Sequence, residues 1–511
     1  MTTLQPRPPY TDEELRSLYP PGLDLQLVQV LMRHGERTPV SPRFQNAGLK
    51  PFWPYCRVAK ELRSVILEPG NTNGGGGSLS TLEWSRRIET FGRHDEPRIA
   101  TGPRGELDAV CDLGMLTDEG RATTYALGQR LRRLYVEQLR FLPATAAGGV
   151  DDVYLRSTPI PRALESLQQA FSALYPPATR LPAADGSAFR PPTIITRTPG
   201  DETLYPNEAG CRRLAALSRA FAQRTADRWN DSADMEYLNR LWAKWMPEDS
   251  PRVAVDSRPR LSGIMDTVNS TLGHGPETRL PREFYDKKAI AITEKIGVEE
   301  WFSGYKESRE YRALGIGSLM GDLVGRMVAS AEGPAAEGTE RQNESRKDTY
   351  VKFGLSGCHD TTLAGILASL GAFETEKWPP YTSHVAIEMF RDPTRSAAAA
   401  VLPTNKGWWS ALSSKVGKAS RGIGRKTMDE LSPSETERLH GYYVRVRYND
   451  EPVTIPGCRI PGNHLDGNES FCTLRAFKSI VDKFTPRNWK EDCRRSTSDP
   501  VFPAKPEPAG F

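Results

Sequence analysis

Clusters of polar residues follow three short apolar segments of the sequence. The segments and the clusters after them are DLQLVQVLM (24–32) with RHGERTP (33–39), DVYL (152–155) with RST (156–158), and YVKFGL (350–355) with GCHDTT (357–362). Each apolar segment predicts a buried strand, and ligand sites of open α/β sheets form beyond the carboxyl ends of strands. We therefore expect three arginines and two histidines at one edge of a sheet: Arg33, Arg37, Arg156, His34 and His359.

This set of residue types points to phosphate chemistry. Arginine presents a permanently charged, bidentate donor that suits a phosphate dianion. A histidine among the arginines can act as a nucleophile and form a phosphohistidine. A carboxylic acid beside it can protonate the departing alkoxide. Arginines, a histidine and an acid together predict a metal-independent phosphatase.

Each residue taken singly has an ordinary structural role. A lone arginine is more often a surface ion-pair partner, and Asp360 could serve only as the N-cap of the helix predicted at 361–370. Cys358 is interpreted as a small buried residue and not as a nucleophile, because the chemistry needs no thiol. The joint occurrence of the residue types is what favours the phosphatase.

The histidines outside these clusters lack the spacing of metal ligands. We interpret them as structural or surface residues and expect no metal and no cofactor. They are His94, His274, His384, His440 and His464.

The motif RHGxRxP at 33–39, with a later His-Asp pair after a strand, resembles the signature of the histidine acid phosphatases, branch 2 of the histidine phosphatase superfamily. Further segments that resemble this family are spread over most of the chain, at 114–136, 154–166, 201–211, 370–381 and 458–493. Within the family, segments 201–211 and 370–381 resemble the lysophosphatidic acid phosphatases, which implies lipid monophosphates as substrates.

The resemblance implies a role for each matching residue. His34 is then the nucleophile that becomes phosphorylated, and Asp360 is the acid that protonates the leaving group and later helps to activate water. Four side chains would hold the phosphate: Arg33, Arg37, Arg156 and His359. The resemblance also implies two disulfides in relatives of this kind, here Cys458 with Cys472 and Cys211 with Cys493.

Strands that alternate with helices predict an α/β sheet, and apolar residues at helical spacing between about 208 and 332 predict a helical lobe. The resemblance implies a phosphoglycerate-mutase-like core, a mixed central sheet flanked by helices, with that all-α lobe inserted. The predicted divisions are a polar arm (1–22), a discontinuous α/β core (23–175 and 346–495), a mostly helical lobe (176–345), loop inserts (68–81, 333–348 and 393–434) and a tail (496–511).

Composition narrows the class of partner. Sixty-eight basic against 64 acidic residues give a net charge of +4 over 511 residues, which does not favour nucleic acid as a partner. No segment approaches the run of about 18 apolar residues that a transmembrane helix needs. We expect a small-molecule or lipid phosphomonoester as substrate, without a transmembrane segment and compatible with transient contact with a membrane surface. The sequence leaves the oligomeric state open.

Two features of the sequence give conflicting indications of the cellular compartment in which the protein is located. Residues 1–20 contain no apolar segment of a secretory signal, which predicts a cytoplasmic protein, or a mitochondrial or secreted one if the true N-terminus differs. Three of the seven cysteines lie in the last 54 residues, and four Asn-x-Ser/Thr sequons occur, as in proteins of oxidising compartments.

Several functions stay open beside the leading one. They are an inositol-phosphate or sugar-phosphate phosphatase, a branch 1 mutase, and a non-catalytic phospholipid- or phosphate-binding protein. A lipid substrate would need an apolar groove, and four aromatic residues of the predicted lobe are candidates, although such residues more often fill a core: Phe221, Trp229, Trp242 and Trp245.

Overall fold

The computed structural model of the chain describes residues 8–68, 78–332, 351–375, 377–396 and 423–511. The insert predicted at 333–348 lies outside the described residues, as do most of the inserts at 68–81 and 393–434 and the first seven residues of the predicted arm. The domain divisions given above stay predictions.

Strands and helices alternate along the described chain. The strands are β1 (Asp24–Arg33), β2 (Leu62–Glu68), β3 (Ser78–Trp84), β4 (Glu89–Phe91), β5 (Pro97–Ile99), β6 (Ala146–Ala147), β7 (Val153–Ser157), β8 (Arg180–Leu181), β9 (Ile194–Ile195), β10 (Phe353–Cys358), β11 (His384–Arg391), β12 (Tyr442–Tyr448), β13 (Glu451–Val453), β14 (His464–Leu465) and β15 (Asn468–Thr473). The helices are α1 (Asp12–Leu18), α2 (Asp118–Arg132), α3 (Pro161–Leu174), α4 (Arg212–Trp229), α5 (Ala233–Trp242), α6 (Leu261–Leu272), α7 (Lys287–Glu307), α8 (Arg309–Arg312), α9 (Ser318–Glu332), α10 (Asp360–Ser369), α11 (Pro393–Ser396), α12 (Pro433–Glu437), α13 (Leu474–Asp482) and α14 (Trp489–Asp492).

A mixed sheet forms the centre of the fold. Its strand order is β14-β15-β12-β11-β1-β10-β7-β9, and β13 also pairs with β12. Strands β1, β10, β7 and β9 run parallel to one another, whereas β11, β12 and β15 continue the sheet with antiparallel pairs. The predicted α/β fold with a mixed central sheet is confirmed.

Strand β1 is central because its side chains are apolar on both faces. Leu27 and Leu31 pack into a cluster with residues of α4, α7, α9 and α10. Val28 and Val30, which point the opposite way, pack against Leu127 of α2 and other residues of α2 and α3. Helices therefore cover both faces of the sheet, which explains why β1 reads as a nearly continuous apolar segment.

The helices between 212 and 332 share their packing with the sheet and with a second core. Phe221 of α4 belongs to the cluster that contains Leu27, while Trp229 and Trp242 are buried in a separate cluster around Trp53. Trp245 packs against this second cluster. These four aromatic residues pack in or against hydrophobic cores and do not form a groove. This agrees with the more common role of such residues noted in the sequence analysis.

The described chain contains three disulfides, which join residues 14, 55 and 282 positions apart. Cys458–Cys472 and Cys211–Cys493 confirm the two pairs implied by the family resemblance. A third bond, Cys56–Cys111, was not predicted from the sequence.

Candidate active site

The parallel pairing of β1 and β10 brings the first two polar clusters together. Arg33 and Cys358, the last residues of the two strands, are partners in the register. The backbone N–H of His34 donates to the carbonyl oxygen of Cys358 at 3.1 Å. The rings of His34 and His359 consequently lie edge to face, with centroids 5.5 Å apart.

His34 is held as a neutral, oriented imidazole. Its side chain is buried, and Nδ1 lies 2.9 Å from the carbonyl oxygen of Gly35. Because a carbonyl only accepts, Nδ1 carries the proton and Nε2 keeps its lone pair. Burial, followed by the charge of Arg162 and those of Arg33 and Arg37, holds the pKa of His34 well below its usual value. The nucleophilic form therefore persists in mildly acidic solution.

Gly35 lets the nucleophile loop approach α2 closely. A Cβ built on Gly35 would lie 2.2 Å from the carbonyl oxygen of Gly120, a clash that only backbone movement could relieve. The reverse also holds, because a Cβ on Gly120 would lie 2.2 Å from the carbonyl oxygen of Glu36. Two glycines in contact thus set the position of the loop that carries His34.

Asp360 begins α10 and faces Arg33. Its Oδ2 lies 2.8 Å from Nη2 of Arg33 and accepts a hydrogen bond from Nε1 of Trp378 at 2.9 Å. Burial alone would raise the pKa of the carboxyl, but the charge of Arg33 and the Trp378 hydrogen bond outweigh it and hold the pKa below its usual value. Asp360 is therefore ionised in the free protein, and it needs a proton before it can act as an acid.

The arginines beside His34 differ in how their charge is balanced. Nη2 of Arg37 lies 2.7 Å from Oδ1 of Asp266, and Arg33 pairs with Asp360. Arg162, in the first turn of α3, has no carboxylate partner within ion-pair distance among the described residues. Burial and the nearby charge of Arg37 lower its pKa to about 10. An anion in front of His34 would relieve this unbalanced charge.

Each of the three arginines has one buried donor without a partner among the described residues. In the part of the chain that the structure describes, the buried Nε atoms of Arg33, Arg37 and Arg162 have no hydrogen-bond partner. A phosphate group offers several acceptor oxygens to donors of this kind.

Arg156 differs from this group. Its side chain is 1% exposed, and its Nη2 lies 2.6 Å from Oε1 of Glu202 and 3.0 Å from Oγ1 of Thr203. The same carboxylate oxygen accepts the backbone N–H groups of Thr203 and Leu204, both at 2.7 Å. Arg156 thus fixes the segment that leads into Tyr205, and, like Arg33, it does not line the cavity in front of His34.

That cavity has a volume of about 230 Å³. Its polar end is formed by His34, Arg37, Arg162, His359 and Asp360. The other residues that line it are mostly aromatic or apolar: Ile160, Tyr205, Pro206, Glu208, Trp301, Phe302, Tyr305, Tyr311 and Thr361. A phosphate at the polar end would leave its organic group against an aromatic wall.

His359 and Cys358 occupy the remaining positions of the cluster. Nε2 of His359 lies 3.1 Å from Oγ1 of Thr158, and burial together with the charge of Arg162 lowers the pKa of the ring. Cys358 is fully buried, its thiol donates to the carbonyl oxygen of Met32, and burial raises its pKa to about 12. Cys358 is therefore a structural residue, as the sequence indicated.

Within the described segments, no three or more His, Cys, Asp or Glu side chains lie close enough together to bind a metal ion. None of the helices in these segments is long and apolar enough to cross a bilayer.

Comparison with known proteins identifies the family. The model of the histidine phosphatase superfamily (branch 2) matches residues 24–449. The chain belongs to this family. A probable acid phosphatase of Schizosaccharomyces pombe is 35% identical over 480 residues, which cover 93% of this chain and 95% of that protein. The chain is thus a histidine acid phosphatase, a hydrolase of phosphomonoesters.

More distant relatives share the fold. Lysophosphatidic acid phosphatase type 6 of Homo sapiens is 25% identical over 372 residues, covering 72% of this chain and 74% of that protein. The apo form of a Hafnia alvei phytase superposes with a TM-score of 0.51 at 13% identity, covering 93% of this chain and 100% of the phytase. At that identity the likeness concerns the fold alone.

Arg162 is the residue of this phosphatase that sequence reasoning missed. The segment YLRSTPIPRALES contains both Arg156 and Arg162, and only Arg156 directly follows the strand predicted at 152–155. A signal was present, because a cation in the first turn of a helix opposes the helix dipole. Arg162 tolerates that position beside a cavity whose expected ligand is an anion.

Replacing Arg162 tests this reassignment. We expect Arg162→Met to lower kcat/KM for an aryl phosphate by roughly 10²–10³-fold, the usual effect of removing one donor to a developing charge. Arg156→Lys is the comparison, and we expect a smaller effect from it, since its charge acts on Glu202. An equal or larger loss for Arg156→Lys, with folding intact by circular dichroism, would return the phosphate contact to Arg156.

Trp378 provides a test of the pKa of Asp360. Trp378→Phe removes a hydrogen bond to the ionised carboxylate, so the pKa of Asp360 rises. The fall of kcat/KM toward high pH, which reflects ionisation of Asp360, then moves to higher pH by roughly one unit. This is the size expected for the loss of a hydrogen bond to a charged group. Trp301→Phe is the control, because Trp301 lines the cavity without bonding Asp360. A shift to lower pH, or the same shift in both variants, contradicts the assignment.

Proposed function

We propose that this phosphatase cleaves its substrate through a phosphohistidine at His34. The observation that supports it most directly is a buried, neutral imidazole beside three guanidinium groups at the end of a cavity. In the first step the Nε2 lone pair forms a bond to phosphorus, and the bond from phosphorus to the ester oxygen breaks. Asp360 gives its proton to the departing oxygen, which leaves as an alcohol.

The proton on Asp360 is supplied by the electrostatics of substrate binding. A phosphate dianion in the cavity places negative charge beside the carboxylate of Asp360, which lines the same cavity. That charge raises the pKa of Asp360, so the carboxyl becomes protonated in the complex although it is ionised in the free enzyme. After the alcohol leaves, the carboxylate takes a proton from water as the water oxygen attacks phosphorus. Inorganic phosphate is released and His34 returns to its neutral form.

For the substrate we infer a lipid monophosphate such as lysophosphatidic acid. The aromatic wall offers Trp301, Phe302 and Tyr305 to an apolar group, whereas the charge is concentrated at one end of the cavity. Such a site suits one phosphate on an apolar body. The similarity to lysophosphatidic acid phosphatase type 6 supports the same substrate class.

A heavily phosphorylated substrate fits this cavity less well. Inositol hexakisphosphate would place further phosphates where the wall is aromatic and where Glu208 contributes a carboxylate. An anion near that carboxylate is repelled, and only Arg37 and Arg162 supply lining cations among the described residues.

A substrate panel tests the proposal. We expect phosphate release from lysophosphatidic acid with the highest kcat/KM, a lower value for a sugar phosphate, and the lowest for inositol hexakisphosphate, all in the presence of EDTA. Glu208→Gln should raise only the value for inositol hexakisphosphate. Preference of the wild type for inositol hexakisphosphate would refute the lipid substrate, and no release from any substrate would refute hydrolysis through His34.

The compartment is open to a direct measurement. The cytoplasmic location predicted from the sequence stays a prediction, and the three disulfides favour an oxidising compartment instead. For the protein isolated from its native source under alkylating conditions, we expect one free thiol, that of Cys358. Seven free thiols would support the cytoplasmic location.

A further inference from the structure

The segment 379–383 runs beside the end of β1, where the nucleophile loop begins. The backbone N–H of Thr382 donates to the carbonyl oxygen of His34 at 3.2 Å. Nη1 of Arg33 donates to the carbonyl oxygen of Pro379 at 2.5 Å. The segment is therefore tied to the two residues at which the strand passes into the loop.

Tyr381, in this segment, places its ring against the nucleophile loop. The side chain is 1% exposed. The guanidinium carbon of Arg33 lies over the ring, 4.2 Å from its centroid, and that of Arg37 lies 5.8 Å from the centroid. The ring of His34 has its centroid 5.9 Å away. Tyr381 is not among the residues that line the cavity, so its influence on the reaction must pass through these neighbours.

An aromatic ring stabilises an arginine without using its hydrogen-bond donors. A guanidinium cation within about 6 Å of a ring centroid is attracted by the negative charge of the π face. A carboxylate in the same place would bind the N–H groups instead, as Asp360 and Asp266 do with Nη2 of Arg33 and of Arg37. The contact with Tyr381 therefore restrains both cations without occupying their Nε atoms, which have no partner among the described residues.

The two restrained arginines act at different places. Arg37 lines the cavity, and Arg33 holds Asp360, with Nη2 and Oδ2 2.8 Å apart. Both cations lie beside His34 and act on its pKa. Because like charges repel, the two groups need a neighbour that attracts both, and the ring of Tyr381 is placed to do so.

Helix α6 fixes the hydroxyl end of the ring. Oη of Tyr381 and Oγ of Ser270 are 3.1 Å apart. Asp266, which pairs with Arg37, precedes Ser270 by four residues and so lies on the same face of the helix. One face of α6 thus holds both Tyr381 and one of the arginines beside it.

Thr382 keeps the segment in a strained conformation. Its φ of 62° lies in the left-handed region, which a β-branched residue rarely adopts. Its side chain is buried, and Oγ1 lies 2.9 Å from Oγ1 of Thr123. Backbone strain of this kind persists where the surroundings fix it, and it is concentrated at active sites. The direction of Tyr381 is thus set by the backbone as well as by Ser270.

We propose that Tyr381 is a positioning residue of the reaction: its ring holds Arg37 in the wall of the cavity and Arg33 against Asp360. The proposal rests on the function proposed above and deepens it, because it assigns a support to the groups that bind phosphate and deliver the proton. Phenylalanine at this position would serve nearly as well, since the π face and not the hydroxyl group attracts the cations. An aliphatic side chain would not.

Two variants and a control of the full chain test the role of the ring. Tyr381→Met fills much of the space but has no π face. We expect it to lower kcat/KM for an aryl phosphate, and to raise the Kd of inorganic phosphate in calorimetry, each by roughly 10-fold to 30-fold. Tyr381→Phe should stay within about threefold of the wild type in both measurements.

The matched control is Tyr175→Met. Tyr175 is equally buried and follows α3 directly, and its Oη donates to the carbonyl oxygen of Pro143. The control should lower Tm through lost packing, but it should keep kcat/KM and the Kd of phosphate at their wild-type values.

A fluorinated ring separates the electrostatic contact from packing. Pentafluorophenylalanine at position 381 resembles phenylalanine in shape, but its fluorine atoms withdraw charge from the π face, which then no longer attracts a cation. Relative to Tyr381→Phe, we expect phosphate to bind at least about fivefold more weakly, with folding intact by circular dichroism. This comparison decides the matter if Tyr381→Met does not fold.

The opposite results would overturn the proposal. They are wild-type constants for Tyr381→Met, an equal loss in Tyr381→Phe, or phosphate binding by the fluorinated ring as tight as by phenylalanine. An equal loss in Tyr175→Met would show a general effect of packing and would also refute it.

The proposed function fails by a different observation. Calorimetry measures phosphate binding without turnover, so the role of Tyr381 is tested even if the covalent step is wrong. If the variants bind phosphate as expected but no phosphoryl group forms on His34, the phosphohistidine is refuted and the role of Tyr381 stands. If the wild type binds no phosphate, the anion site itself is refuted, and the positioning role with it.

Discussion

His34→Ala is expected to lower the rate of phosphate release by at least about 10⁴-fold, because no other group in the cavity can form the covalent intermediate. His359 is adjacent, but its Nε2 is directed to Oγ1 of Thr158. Asp360 is an ionised carboxylate that Arg33 and Trp378 hold in place. Neither side chain is placed to replace the lone pair of Nε2.

Two measurements check this result. Initial rates with an aryl phosphate in EDTA give the loss directly, and His440→Ala, at an exposed histidine outside the cavity, controls for the substitution. Rapid quenching of the wild type followed by mass spectrometry should find one phosphoryl group on the peptide that contains His34. Unchanged release by His34→Ala, or a phosphoryl group on another residue, would contradict the assigned nucleophile.

The central part of the site could be predicted because it depends on local order in the sequence. Parallel strands end at the same edge of a sheet, so polar residues directly after β1 and β10 must meet. The β10 boundary itself was misplaced, since the strand was predicted at 350–355 and is observed at Phe353–Cys358. The predicted strand ended too early because the small residues Ser356 and Gly357 were not assigned to it. Gly357 belongs to the strand because α3 packs closely there, and a Cβ at that position would lie 2.5 Å from the carbonyl oxygen of Ala163.

The third predicted cluster, which contains Arg156, shows where local order is insufficient. Arg156 lies within β7, paired in the register with Ser356, and its side chain is taken up by Glu202, a residue 46 positions later. No feature of the sequence around Arg156 predicts that Glu202 is its partner. Arg162 reaches the cavity only because the turn after β7 and the start of α3 direct it there.

The wall of the cavity could not be predicted for a related reason. Its aromatic residues come from the segment around Tyr205 and from α7 and α8, more than 90 residues apart. Periodicity in each segment indicates burial but not the neighbour against which a side chain is buried. The tryptophans that seemed suited to a groove, such as Trp242, fill a core, whereas Trp301 was not considered and lines the site.

Asp360→Asn should separate substrates by the basicity of their leaving groups. The amide keeps the shape of the side chain and can still accept from Trp378, but it has no acidic proton to give. An alkyl phosphate, whose alkoxide is strongly basic, should lose roughly 10²–10⁴-fold in kcat/KM, which reports the step in which the alcohol leaves. An activated aryl phosphate such as p-nitrophenyl phosphate needs little help from an acid and should lose much less.

The control for this variant is Asp266→Asn. Asp266 pairs with Arg37, so its replacement disturbs the binding of phosphate and not the departure of the alcohol. We therefore expect Asp266→Asn to lower the rates for alkyl and aryl phosphates by the same factor. Measuring kcat/KM for both substrates with both variants gives a ratio that depends only on proton donation to the leaving group. If Asp360→Asn lowers both rates equally, Asp360 acts through its pairing with Arg33, and the proton for the leaving group must come from elsewhere in the cavity.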